Sequence, residues 1–420
     1  MKHLHRASIA ALAALMAAAC QMGAGGGESP AATASAVNTS TDQTMATAYE
    51  PAPLPDLLVG QRPSPETDEA GMWLVFDRQE QQSRHSANLI TDPDLNAYVR
   101  DVVCKIAGPY CRDIRVYIGR VPHFNASMAP NGMMVVWTGF LLRARNEAQL
   151  AAVLGHEIGH YLRRHSVQRW RSTINTAGFL TFFSMGMGVA GLPGAGDLAA
   201  LVAMGGLSSF GRDHEREADA IGLEKISAAG YDPREASAVW KNLIEENERA
   251  SKEREFNFFL STHPRDTERQ ETLATQAKAV IGRTGRTGDV GTERYRAAIA
   301  SHRFQMLRDE IRLRDFKRNL AIVDMLIEDG FRLGELHYFR GEIFRLRDSA
   351  DENDRDAALA EYAKAAAFAD CPPDLFRSLG LLNHRMGRTG DASQALRKYL
   401  DLQPDAPDAA FLRSYIKPTS

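Results

Sequence analysis

The chain has no block of basic residues, no alternation of basic and aromatic side chains and no glycine-rich phosphate loop. Its 420 residues therefore carry none of the marks of a nucleic-acid partner. Cysteine is scarce, with 4 in all. Cys104 and Cys111 stand close enough to bridge across the turn at Gly108-Pro109 in an oxidising compartment, while Cys371 stands alone as a small buried residue. Apolar runs long enough to cross a bilayer are lacking at the N-terminus, where Ile9–Ala19 is too short to do so as a helix. Charge is close to balanced at −3, and removing residues 1–19, with Lys2 and Arg6 and no acids, lowers it by 2 to −5.

What that N-terminus does contain is a secretory signal: Lys2 and Arg6, the apolar run, then Ala17-Ala18-Ala19-Cys20. The cut reads two ways. Cys20 after small residues resembles a bacterial lipoprotein site, with Ala17 where Leu is usual; Ala17 and Ala19 also suit ordinary signal peptidase. Lipidation of Cys20 is favoured, because the alternative leaves an exposed thiol at the mature end. Gln21 is not the Asp that argues for inner-membrane retention, so the expected location is the periplasm, anchored to the outer membrane. Residues 20–61 are rich in Ala, Gly, Ser, Thr and Pro and read as a disordered tether.

The chemistry centres on His156-Glu157-Ile158-Gly159-His160, an H-E-x-x-H pattern. On a helix, two imidazoles four residues apart share one face and reach one metal ion, and the adjacent Glu157 can take a proton from the attacking water. The surroundings are helical: Asn146 and Gln149 fit a capping box, and Leu150, Val153, Leu154, Ile158, Tyr161 and Leu162 recur at helical spacing. Gly155 and Gly159 each cost a helix about 1 kcal/mol against Ala, and their shared face predicts a close neighbour.

A zinc protease needs a third protein ligand and an open fourth position. In Arg212–Asp219, Glu215 and Asp219 lie four apart on one helix face. Glu215 suits the third ligand, and Asp219 could accept a hydrogen bond from the far nitrogen of a ligating histidine. Glu217 points elsewhere and is the weaker candidate. Gly230 ends this helix, and the next opens with Asp232 as cap, Pro233 at the first position and Glu235 closing a capping box.

H-E-x-x-H followed by E-x-x-x-D, with Gly230-Tyr231-Asp232-Pro233 after it, resembles the HtpX-like and CAAX-prenyl-protease family of zinc metallopeptidases. Asn125-Ala126 with Pro130-Asn131-Gly132, and Ser261-Thr262-His263-Pro264 with Arg269, resemble two further elements of that family in the family's order, over about residues 70–275. Ser127 departs from the Phe common at its position. The resemblance implies one Zn(2+) per chain at His156, His160 and Glu215, with Glu157 as general base. His263 would be a transition-state donor, a latch on the metal's open position, or a loop histidine. Arg269 more readily fixes its loop through a carboxylate than touches substrate.

Met133–Trp137 reads as a strand, either buried or at an edge beside the cleft, where an extended peptide could add. Ile174 to Gly206 is apolar with the single charge Asp197, and reads as a hairpin over the protease body, soluble or interfacial.

Beyond the break at Gly282–Glu293 the pattern is nearly all helical, with an acidic insertion around Asp348–Asp356. Phe376, Leu379-Gly380, Ala392, Leu396 and Pro404 fall at tetratricopeptide-repeat offsets, and an earlier copy holds Gly341, Phe344, Ala358, Tyr362 and Ala365. The expected architecture is an α+β zincin-like metallopeptidase domain at 62–281, followed by an all-α tetratricopeptide-repeat-like solenoid at 294–420. The whole arrangement resembles the periplasmic branch of the family that enhances β-barrel assembly. That implies an endopeptidase for misfolded or stalled envelope proteins, with polypeptide substrates and a protein partner on the repeats. The alternatives are a chaperone or scaffold that works without proteolysis, and a hydrolase of non-peptide amides.

Overall fold

The structure is a computed structural model that describes residues 54–177, 211–250, 267–349 and 353–416. The signal segment with Cys20, the apolar stretch beyond Ala177 and the loop holding His263 lie outside the described residues.

Within residues 54–61, assigned to the tether on composition, one side chain is anchored while most of its neighbours are exposed. Leu57 is buried, its N–H donates to Leu162 O at 2.9 Å and its carbonyl accepts from the Tyr110 hydroxyl at 2.9 Å. Leu57 sits in the short apolar run Leu57-Leu58-Val59, too short to show a period, so the sequence could not tell which of the three is buried.

Helices α1 (Asp68–Ser83) and α2 (Pro93–Ala107) come first. Thr67 caps the first through Ala70 N–H, and Asp92 caps the second at 2.8 Å from Leu95 N, with Pro93 in the first turn where no N–H is needed. The Cys104–Cys111 disulfide closes the turn after α2; Cys371 is a free thiol, half-buried rather than buried.

Three strands follow, β1 (Arg115–Gly119), β2 (Ala126–Met128) and β3 (Met133–Trp137), in the order β1-β3-β2. β3 pairs with β1 in parallel, Arg115 opposite Met133, and with β2 antiparallel, Ala126 opposite Val136. Met133–Trp137 is thus the central strand, with all five residues buried, and the edge reading for it is corrected. Its unbroken apolar sequence is what a doubly covered strand requires. The edge beside the histidine helix is β2, which the Asn125-Ala126 element forms.

The short α3 (Thr138–Arg143) leads into α4 (Glu147–Leu162), every residue of which is buried. The Asn146 side chain caps Gln149 N–H at 2.8 Å, while Gln149 Oε1 turns back to Arg145 N–H at 3.0 Å, one residue beyond a standard capping box. Next come α5 (His165–Ala177), α6 (Arg212–Ala228), α7 (Glu235–Ala250) and α8 (Thr267–Thr284). Gly230, at φ +83°, closes α6, with Tyr231 N–H donating back to Ile226 O at 2.9 Å. Helix α7 starts two residues later than Pro233. Asp232 caps a turn at Arg234 N, and Glu235 instead accepts from Asn146 and Gln149 at 2.9 and 2.8 Å.

The remaining elements among the described residues are helices: α9 (Thr292–Arg312), α10 (Phe316–Glu328), α11 (Leu333–Arg347), α12 (Asp354–Ala365), α13 (Asp374–Arg385), α14 (Thr389–Leu402) and α15 (Ala409–Arg413). Two pairs share one packing arrangement. A Cβ on Gly341 would lie 2.6 Å from the Tyr362 ring and 3.2 Å from Ala358 O; one on Gly380 would lie 2.6 Å from Leu396 and 3.2 Å from Ala392 O. These are the positions at which the sequence repeats.

The Gly282–Glu293 break is tied to the rest. Asp289 exchanges backbone hydrogen bonds with Gly230 and Asp232 at 2.9 and 3.1 Å, and Val290 O caps Ala148 N–H of α4 at 3.0 Å. Helix α9 then packs on α2, α3 and α4, so one hydrophobic core runs from Leu95 through Leu154 and Tyr295 to Tyr362 and Leu382. No helix among the described residues is long and apolar enough to cross a membrane.

Candidate metal centre

Two helices make the site. Gly155 and Gly159 of α4 lie against the backbone of α6: a Cβ on Gly159 would sit 2.8 Å from Ala218 O, and one on Gly222 would sit 2.9 Å from His156 N. With no side chain between them the helices approach closely. This places Glu215 and Asp219, one turn apart on α6, over His156 and His160, one turn apart on α4.

His156 Nε2 and His160 Nε2 face each other at 3.0 Å, and Glu215 oxygens lie 3.5 and 3.4 Å from them. All three residues are buried. A tetrahedron with metal–ligand bonds of about 2.0–2.1 Å has edges of about 3.3 Å, so this nitrogen, nitrogen, oxygen set fits one divalent ion. The far nitrogens agree with that reading. His156 Nδ1 lies 2.8 Å from Asp219 Oδ1, which holds the proton on Nδ1 and turns the Nε2 lone pair toward the centre. Glu157 follows His156 on the same turn and is buried.

Arg269, from α8, closes the site from the other side. Its guanidinium donates to Asp219 at 2.8 and 2.6 Å, reaches Glu215 Oε2 at 2.7 Å and stacks over Trp240 at 4.2 Å. Burial alone would raise the Asp219 pKa, but Arg269 and His156 outweigh it and hold the carboxyl below its usual range. The same pairing keeps the buried guanidinium charged, since Asp219 and Glu215 outweigh desolvation.

A second arm had no forecast in the sequence. His160 Nδ1 lies 2.9 Å from His165 Nδ1, and His165 Nε2 lies 3.0 Å from Glu217 Oε2. The tautomers that satisfy both contacts have His160 donating to His165 and His165 donating to Glu217. His165 is fully buried and stacks on His214 at 4.2 Å; burial first, then His214, pushes its pKa down to about 4, so the ring is neutral and able to accept. Glu217, the weaker ligand candidate, faces this ring and Arg163 Nε at 3.0 Å. The signal was a histidine five residues past His160, which is no helical spacing. It reaches inward only because α4 stops at Leu162 and Arg164 turns at φ +54°.

A buried two-histidine, one-carboxylate set with an adjacent glutamate on the same helix is the constellation of a metal-dependent peptidase. Residues 81–277 match the model of Peptidase family M48. Over 197 residues the chain is 30% identical to the beta-barrel assembly-enhancing protease of Yersinia pestis, covering 44% of this chain and 39% of that protein. Over 185 residues it is 31% identical to the mitochondrial metalloendopeptidase OMA1 of Arabidopsis thaliana, covering 43% and 36%. The beta-barrel assembly-enhancing protease of Escherichia coli is 28% identical over 193 residues, 44% and 39% of the two chains. The chain thus spans about two fifths of the length of these relatives.

Proposed function

We propose that the chain is an exported zinc-dependent endopeptidase acting on misfolded or stalled envelope proteins. The ion is zinc, held by His156, His160 and Glu215, with Glu157 as general base. The observation that carries this is the fit of the His156, His160 and Glu215 atoms, all within 4.8 Å of one another, to one small ion beside Glu157. Bound zinc would polarise the scissile carbonyl and make water a nucleophile near neutral pH. Glu157 would serve as the base that takes a proton from the attacking water and returns it to the leaving amine. Asp219 and the His165–Glu217 arm hold the two imidazoles in the required tautomers, and Arg269 neutralises the acids around them. An extended substrate would pair with the β2 edge at Ala126–Met128, next to α4, through main-chain hydrogen bonds that read little sequence.

The setting rests on the relatives' names and on the N-terminal segment. Two of those relatives are named for enhancing β-barrel assembly. Lys2, Arg6 and the run to Cys20 support export, lipidation at Cys20 and a periplasmic place at the outer membrane. We place the peptidase domain at 62–281 and a tetratricopeptide-repeat-like solenoid at 294–420, the latter supported by the shared Gly341 and Gly380 packing. His263 is proposed to act on the open position of the metal.

Casein cleavage tests the reading. Protein lacking residues 1–20 should cut with zinc, and Glu157→Gln should bind one zinc and fail to cut. A Glu157→Gln protein that replaces the native one fully in cells would favour the scaffold alternative.

A further inference from the structure

Far along the chain from the metal centre, a cavity of about 360 Å³ opens between α9, α11 and α13. Its floor is aromatic: Phe304 stacks on Tyr338 with ring centres 6.0 Å apart and meets Phe339 at 4.9 Å. Its walls hold five arginines, Arg308, Arg312, Arg314, Arg345 and Arg377, against two carboxylates, Glu342 and Asp374.

The internal pairing leaves one side of the rim with positive charge to spare. Glu342 is occupied by both arms of Arg345 at 2.8 and 2.6 Å and by the Tyr362 hydroxyl, and Arg377 is held by Asp408 at 2.7 Å. Asp309, 3.4 Å from Arg312, is already engaged by Arg120 at 2.6 and 2.8 Å. Arg308 and Arg314 are exposed and make no ion pair with any carboxylate among the described residues. A cavity of this size takes one or two bulky side chains, and its rim asks for negative charge beside them.

We propose that this cavity docks an acidic segment of another polypeptide. That segment seats an apolar or aromatic side chain on Phe304, Tyr338 and Phe339 and sets its carboxylates against Arg308, Arg312 and Arg314. The inference names the chemistry of the partner assigned above to the helical region, and rests on that reading; it does not involve the metal site.

The test uses the full chain with Glu157→Gln, so that no probe is cut. A fluorescein-labelled peptide alternating Glu and Phe is followed by anisotropy. It should bind, and reversing Arg308, Arg312 and Arg314 together to Glu should weaken binding about tenfold or more. The same reversal, with Glu157 intact, should leave casein cleavage unchanged, so a failed peptidase reading is seen separately. Phe304→Ala should weaken the Glu–Phe peptide and not an all-Glu peptide. The proposal is overturned if the acidic peptide does not bind, or if the triple reversal binds it equally well. Equal binding of a Lys–Phe peptide, of all-Glu peptide or of inorganic phosphate would also overturn it, and tighter binding of single-stranded DNA would assign the cavity to nucleic acid.

Discussion

Gly159 lies directly against Ala218, so closely that a Cβ on the glycine would stand 2.8 Å from the alanine carbonyl oxygen and 3.0 Å from its Cα. Both atoms belong to backbone, which cannot rotate aside. The distance between α4 and α6, and with it the distance from the histidines to Glu215, is therefore set by the absence of a side chain.

Gly159→Val should spread the two helices, lower stability by about 1–3 kcal/mol and lower zinc occupancy together with casein cleavage. Metal analysis and a thermal melt check both. Gly282→Ala is the control: nothing lies within 4 Å of its added Cβ, so it should be neutral or stabilising by up to about 1 kcal/mol. Full zinc binding by Gly159→Val would remove close packing as the cause.

His165→Ala removes the acceptor of the His160 Nδ1 proton without touching a ligand. Zinc affinity, measured by competition with a chelator, should fall about 10–100-fold. Glu217→Gln should cost less, since its side chain is 41% exposed and water can replace it. An unchanged zinc affinity in His165→Ala would show that the arm does no positioning.

Arg143 joins the two regions. It is buried between Glu246 of α7 at 2.8 Å and Glu310 of α9 at 3.1 Å. Arg143→Met removes the hydrogen-bonded cation from Glu310 and leaves Glu246 only Arg318, 3.6 Å away, and should cost about 3–5 kcal/mol in urea unfolding. Adding Glu310→Gln should recover part of the loss, because the remaining acid no longer faces a like charge.

Glu80 predicts an acid limit. Burial would raise its pKa, yet hydrogen bonds from Arg115 at 2.6 Å and Tyr117 at 2.7 Å outweigh it and bring the pKa down to about 2. A lowered pKa adds stability that is full above the unfolded value of about 4.3 and fades as pH falls through the folded one. With Arg115 partly exposed, the contribution is on the order of 2 kcal/mol. Melts of Glu80→Gln should show that deficit at pH 7 and convergence with the native chain toward pH 2; a constant gap across that range would refute the assignment.

The legible parts were those encoded by short spacing. His156 and His160 share a face because they are four apart, and so do Glu215 and Asp219; the Gly155–Gly159 pair even announced a close neighbour. Strand Met133–Trp137 was legible as a strand but not as the central one, because which strand lies beside it is settled by long-range pairing with Arg115–Gly119 and Ala126–Met128. Leu57 and the Cys371 environment carried no periodic signal at all.

By itself the sequence determined the chemistry on each helix, since a helical face follows from residue spacing alone. It also determined the turns, where Pro93 and Gly230 constrain the backbone directly. Tertiary structure decided what meets across helices. Arg269 bridges Asp219 and Glu215, His165 turns inward behind His160, and Val290 O caps the helix that bears both histidines. Those contacts join residues from five to 142 positions apart. Such separations are closed only when the glycine-faced helices and the shared core have packed.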